Sequence, residues 1–394
     1  MNPSKELWIA KFFKLSNPSF FSNLSEKSFY EEIRKTGFIY GFTTKSIQPI
    51  FHTLDLTSEE RTKIVLLEAL YGTYIQTVGT HNFKDFTVAA EAFYKKLNEA
   101  KTDSYFSFIR FESKKKFASL EKIINQRTTR SVNYFDKTFS PHLSNFLIFT
   151  DVLCFKRYLI NQNEILTYNK YLENTLAHLV KISFNQKQNK TKYDEKIRQL
   201  IDQSLKYSNL EDFDQQLNSL NLTNIKTYYG KAYLYDMALM VLWNDEQIDS
   251  KEQLFVKDLQ KKLNHSSLAA EKSLLDIKVF IATNKSEIPY FQFSHPIKKL
   301  YSHTHKTVSL LINRNKKALT TELLNNKVLM QLLIKTTYSP LTKKEKLQLK
   351  NQLVELGKTI PAFTIFLVPG GSLLLPILIK LLPEILPNSF NENK

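Results

Sequence analysis

Thr57-Ser58-Glu59-Glu60 followed by Leu67-Glu68-Ala69-Leu70-Tyr71-Gly72-Thr73-Tyr74-Ile75 decides the fold class. Thr57 and Glu60 stand at capping-box spacing, where the hydroxyl and the carboxylate each satisfy a backbone amide at a helix start. Leu67, Leu70, Tyr71, Tyr74 and Ile75 then recur at i, i+3, i+4, i+7 and i+8, the period of one helical face. The same signature returns at Thr342 and Glu345, ahead of Leu349, Leu353 and Leu356. A third helical pair is predicted between Ala232 and Asn264, first through Met237, Leu239, Met240, Val241 and Leu242, then through Leu254, Phe255, Leu259 and Leu263. No stretch shows comparably clear strand alternation. With only 8 Gly and 12 Pro in 394 residues, long helices are the expectation, and 29 Phe and 19 Tyr supply material for the interfaces between them. The prediction is an all-α, multi-helix bundle.

A chain of this length buries a sizeable core and can hold two or three domains. The polar tract Asn185-Gln186-Lys187-Gln188-Asn189-Lys190-Thr191-Lys192 lacks apolar anchors and reads as a linker. The predicted organisation is therefore an N-terminal helical region over 1–184, a middle helical domain over 193–335 and a C-terminal segment over 336–394.

The formal charge of +17 favours a polyanionic partner, either anionic lipid headgroups or ribosomal or other RNA. Lys114, Lys115 and Lys116 lie within the basic stretch from Arg110 to Arg130, with Phe106, Phe108, Phe111, Phe117 and Tyr134 nearby; the reading preferred over a nucleic-acid surface is a solvated helix face with its aromatics turned inward. Cys154 is the only cysteine and sits in an apolar run, which points to an inert core thiol and a reducing, cytoplasm-facing setting. No conventional secretory signal opens the chain. His303 and His305 lack a third ligand nearby in sequence and are a weak zinc signal. There is no phosphate-binding glycine loop, no Gly-x-Ser-x-Gly elbow and no His-Glu-x-x-His helix. A non-enzymatic protein without a cofactor or resident metal is expected.

The C-terminus carries the strongest functional signal. Between Lys358 and Lys380 there is no ionisable side chain, a length that, if helical, meets the roughly 30 Å of bilayer hydrocarbon. Pro361, Pro369, Gly370, Gly371, Pro376 and Pro383 interrupt it, so the pattern is a broken apolar helical hairpin rather than one straight span. Lys343, Lys344 and Lys346 just ahead of it follow the positive-inside tendency for a cytoplasmic body.

Pro361 to Phe390, ending in Leu386-Pro387-Asn388-Ser389-Phe390, resembles the signature of the leucine-zipper and EF-hand transmembrane proteins of mitochondria, the LETM-like family, and Leu341 to Lys346 resembles the basic helix that leads into it. The resemblance implies a membrane protein of ion homeostasis, with cation/proton exchange as one activity and ribosome binding as another. Where the family has an acidic residue between the second and third prolines, this chain has Ser372, which speaks against exchange. The turn Asp245-Glu246-Gln247-Ile248-Asp249-Ser250-Lys251-Glu252 resembles that of the tellurite-resistance TerB-like helical domain, which implies a bacterial source. Asp245, Asp249 and Glu252 are candidates for cation binding; for Asp249 and Glu252, helix capping is the preferred role. Together these readings imply a bacterial inner-membrane protein, most of it cytoplasmic, concerned with envelope or biofilm organisation or ion homeostasis; the alternative is a soluble cytoplasmic module.

Overall fold

A computed structural model describes residues 1–99, 120–129, 147–187, 216–243, 249–285, 288 and 296–360. Among the described residues the regular structure is helical throughout, as the breaker-poor sequence leads one to expect. In chain order the helices are α1 (Trp8–Leu15), α2 (Pro18–Ser22), α3 (Glu26–Lys35), α4 (Ser58–Val78), α5 (Phe83–Glu99), α6 (Leu120–Thr129) and α7 (Phe149–Ile160). They continue with α8 (Ile165–Gln186), α9 (Tyr228–Leu242), α10 (Ser250–Lys262), α11 (Ser267–Asn284), α12 (Pro296–Asn325), α13 (Lys327–Tyr338) and α14 (Lys343–Thr359).

Side-chain caps fix where many of these helices start. Asn17, Ser25, Thr227, Ser266 and Asn326 each accept a free backbone amide of the first turn. Thr57 with Glu60, Asp249 with Glu252 and Thr342 with Glu345 form complete capping boxes.

The chain divides into two compact units. The first comprises Glu6–Tyr134 and Phe139–Phe291, and the second is built mainly of Gln292–Lys394. Helices from both sides of the polar tract at 185–192 thus belong to the same unit. The reason is packing: α8 runs to Gln186 and lies along α9, and the next residue, Lys187, is buried with its ammonium donating to the Val241 carbonyl at 3.2 Å. Residues 188–215 lie outside the described residues.

In the first unit α4 is the central rod. Every residue from Thr62 to Ile75 is buried, so the face read from Leu67, Leu70, Tyr71, Tyr74 and Ile75 is part of a helix enclosed on all sides. It packs on α2, α6 and α7, while α9 packs on α3, α8, α10 and α11. Each fully buried Leu, Ile or Phe contributes about 1.5–3 kcal/mol of transfer free energy. Gly72 lets α4 approach its neighbours: a Cβ there would stand 2.3 Å from the Phe29 ring and 2.8 Å from that of Phe21. The aromatics fill helix interfaces, with Phe149 against Tyr233 at 4.9 Å and Phe93 against Phe155 at 5.2 Å between ring centroids. Between α3 and the turn at 38–40, Gly37 adopts φ +79, the left-handed region, where a Cβ would also meet the Phe42 carbonyl oxygen at 2.3 Å.

In the second unit α13 packs on both α12 and α14. Asn326, between α12 and α13, caps α13 and donates to the Gln352 side chain at 2.6 Å. The buried apolar residues are Leu311, Ile312, Leu319 and Leu323 from α12, Leu329, Met330, Leu332 and Leu333 from α13, and Leu349, Leu353 and Leu356 from α14, followed by Ile360.

Candidate functional site

Helix α14 is the described lead-in to the apolar segment. Its capping box orders the start, with the Thr342 amide donating to Glu345 Oε2 at 2.8 Å and the Glu345 amide donating to Thr342 Oγ1 at 3.3 Å. Glu345 also accepts from Lys335 of α13. That bond, with those from Thr342, holds its carboxyl at about 2, well below the usual carboxylate range. With Leu349, Leu353 and Leu356 turned inward, the outer surface shows Lys343, Lys344, Lys346 and Lys350. Leu347 stands among them at 61% exposure, giving this basic surface an apolar centre.

Charge is unevenly distributed along the chain. Residues 296–360 contain 13 Lys and Arg against 3 Asp and Glu, so this stretch holds 13 − 3 = +10 of the formal +17. The concentrated positive charge directly precedes the charge-free sequence after Lys358. Pro361, Pro369, Gly370, Gly371, Ser372, Pro376, Pro383, Pro387 and Phe390, and with them the expected broken hairpin, lie outside the described residues. Among the described residues, no helix is long and apolar enough to cross a membrane.

The second candidate site is the start of α10. Asp249 Oδ1 accepts from the amides of Lys251 at 2.8 Å and Glu252 at 2.9 Å, and Glu252 accepts from the Asp249 amide at 3.0 Å. Both side chains thus serve backbone amides. Asp245 lies outside the described residues, and the described residues contain no cluster of three or more His, Cys, Asp or Glu with the geometry of a metal site.

Two buried ionic centres in the first unit were not legible in the sequence. In the first, Arg34 of α3 donates through Nε and Nη2 to Asp276 Oδ2 at 3.0 and 2.7 Å, and through Nη1 to Ser273 Oγ at 2.6 Å and Asp236 Oδ2 at 3.4 Å. Tyr30 donates to the same Asp236 oxygen at 2.7 Å. Burial pushes the Asp236 carboxyl up, while Arg34, Tyr30 and Ser273 pull it back down; burial likewise opposes the charge of Arg34, but Asp236 and the neighbouring tyrosines hold the guanidinium more firmly protonated than usual. The centre ties α3 to α9 and α11.

In the second centre, Arg127 of α6 grips Asp151 of α7 through Nε at 2.7 Å and through Nη2, and Tyr94 of α5 donates to the same carboxylate at 2.9 Å. Within the stretch from Arg110 to Arg130, only 120–129 is described, and there Arg127 faces the core instead of solvent. The reason is Asp151, a buried carboxylate that needs a cation. Cys154, one turn further along α7, is fully buried; its Sγ lies 3.4 Å from Asn169 Oδ1, and burial raises the thiol well above its usual pKa. It is an inert core thiol.

Comparison with known proteins places the C-terminal segment. Residues 341–394 match the family described as "LETM1-like, RBD", a match that begins one residue before the Thr342 cap of α14. The regular structure of the described residues is all-helical, and residues 341–394 are LETM1-like in sequence. It is 35% identical over 69 residues to the LETM1 domain-containing protein YLH47, mitochondrial, of Saccharomyces cerevisiae, covering 17% of this chain and 15% of that protein. It is 41% identical over 54 residues to the LETM1 domain-containing protein mdm28, mitochondrial, of Schizosaccharomyces pombe, covering 14% of this chain and 11% of that protein. The chain therefore spans only a small part of these relatives. No solved structure matches it. The family match does not reach α9 and α10, where the TerB-like resemblance lies.

Proposed function

We propose that this protein is a non-enzymatic, membrane-associated LETM1-related protein whose basic second unit seats it on an anionic bilayer while the apolar segment 361–390 enters the lipid. The observation that carries this reading is the +10 charge of residues 296–360, placed directly before a charge-free, proline-punctuated sequence. Lysines near an anionic surface contribute about 1 kcal/mol each, and apolar burial supplies the rest. The membrane we assign is a bacterial inner membrane with the folded units on its cytoplasmic side, or a mitochondrial membrane, since the two yeast relatives are mitochondrial by name. Fractionation of the source cell decides between them. The role we assign is ion homeostasis or membrane organisation through binding. Exchange of cations for protons is not our reading, because Ser372 occupies the position where the family carries an acid.

Flotation of the full-length chain with phosphatidylcholine vesicles, with and without phosphatidylglycerol, tests the proposal. Full-length protein is expected to float with both and more strongly with the anionic vesicles. Reversing Lys343, Lys344, Lys346 and Lys350 to Glu should remove the anionic preference, and deleting 361–394 should leave only salt-sensitive binding. Full-length protein that stays at the bottom of the gradient with anionic vesicles, yet pellets with ribosomes in low salt, would replace the membrane by a ribosome as the partner.

A further inference from the structure

Helix α11 carries an apolar seam on the side opposite its packing face. Leu268 is 70% exposed, Leu275 57% and Val279 56%, and Ala282 is exposed as well. At 100° per residue these four fall within a narrow stripe, while Ala270, Ile277, Phe280 and Ile281 on the other side are buried in the first unit. Scattered exposed leucines need no explanation, but a continuous row at spacings of seven, four and three is the seam of a helix–helix pair. Lys272, the remaining position in the row, bonds to Asp276 within the same helix, which draws its ammonium to the edge.

We infer that this seam pairs with the same seam of a second copy of the chain, antiparallel, about a two-fold axis near Leu275. Charge decides both the partner and the direction. The exposed Glu271 and Lys278 line one flank of the seam, and Asp276 lies on the other. In an antiparallel pair like flanks face each other, so Glu271 of each copy meets Lys278 of the other, twice by symmetry. A parallel pair would set Glu271 against Asp276 of the other copy, whose carboxylate is already held by Arg34 and Lys272, and Lys278 against Thr283, so neither flank charge would find an opposite partner. A helix of this length makes a small interface, so the self-association is weak in solution and grows when the chains are concentrated on a surface.

Sedimentation equilibrium of the full-length chain in mild detergent is the test. A monomer–dimer equilibrium is expected, weakened about a hundredfold by Leu275→Glu. Glu271→Lys and Lys278→Glu should each weaken self-association about tenfold, while an equimolar mixture of the two recovers the wild-type constant, because the mixed pair restores both opposite-charge contacts. All three substitutions lie on the exposed face, and unchanged thermal melting confirms that the fold is intact. A chain that stays monomeric at about 100 μM, a dimer indifferent to Leu275→Glu, or a mixture that fails to recover would each overturn the inference. The last result would point to a different protein as the occupant.

Discussion

Arg34 leaves 1% of its surface to solvent and finds its partners 202 and 242 positions away, at Asp236 and Asp276. No local pattern marks such a pair, because the residues meet only after α3, α9 and α11 have packed; the same holds for Arg127 and Asp151. Removing one partner of a buried pair leaves an uncompensated charge, so Arg34→Met is expected to cost about 3–5 kcal/mol in denaturant unfolding. Glu68 is a different case. Its two oxygens accept the amides of Ile47 and Gln48, each at 2.8 Å, and Gln48 in turn holds Asn17 and Ser16, so one carboxyl anchors the loop before α4 to the α1–α2 junction. Burial pushes this carboxyl up to about 8, against the pull of the two amides. The folded state therefore binds a proton that the unfolded chain has released, and the contribution is complete below about 4.5 and lost as pH rises through about 8. His265 acts at the other end of the range: burial, with Arg34 and Lys231 nearby, lowers it to about 4, so its contribution is lost as pH falls from 6.5 through that value. Unfolding free energy measured against pH should show this decline between about 4.5 and 8. Glu68→Gln should flatten it, at a cost of about 1–3 kcal/mol in acid for the amide left unmatched.

Helices were legible where the signal is local. The caps at Thr57, Asp249 and Thr342 follow from residue type and a spacing of three, and each forms its box. What periodicity could not show is how much of α4 is enclosed, because a helix packed on every side has no polar face to reveal its orientation. Gly72 gave no sequence signal for the same reason: its role depends on Phe21 and Phe29 arriving from α2 and α3. Gly72→Ala should overpack this crossing and cost about 1–3 kcal/mol, more than the helix propensity gained. Thr57→Ala, which removes one capping bond, should cost about 1 kcal/mol. Thermal melting of the two variants should rank them in that order, and a neutral Gly72→Ala would mean that α2 and α3 can move away from α4.

Across the whole molecule, the basic character and the all-α class could be read from composition, but the concentration of charge takes its meaning from the second unit, where α13 holds α14 so that its leucines face inward and its lysines outward. The domain organisation was harder to read, because a polar tract looks like a linker whether or not the helices on either side fold back on one another, and α8 and α9 do.

Because Cys154 is both the only thiol and wholly enclosed, the chain carries its own reporter of how often the first unit opens. A disulfide-exchange dye added to the native protein can react only during such excursions, and Arg34→Met should speed its uptake by roughly two to four orders of magnitude, the same ~3–5 kcal/mol read through the opening equilibrium. For the same reason, a cysteine introduced anywhere on the surface can be labelled selectively without first removing the natural one.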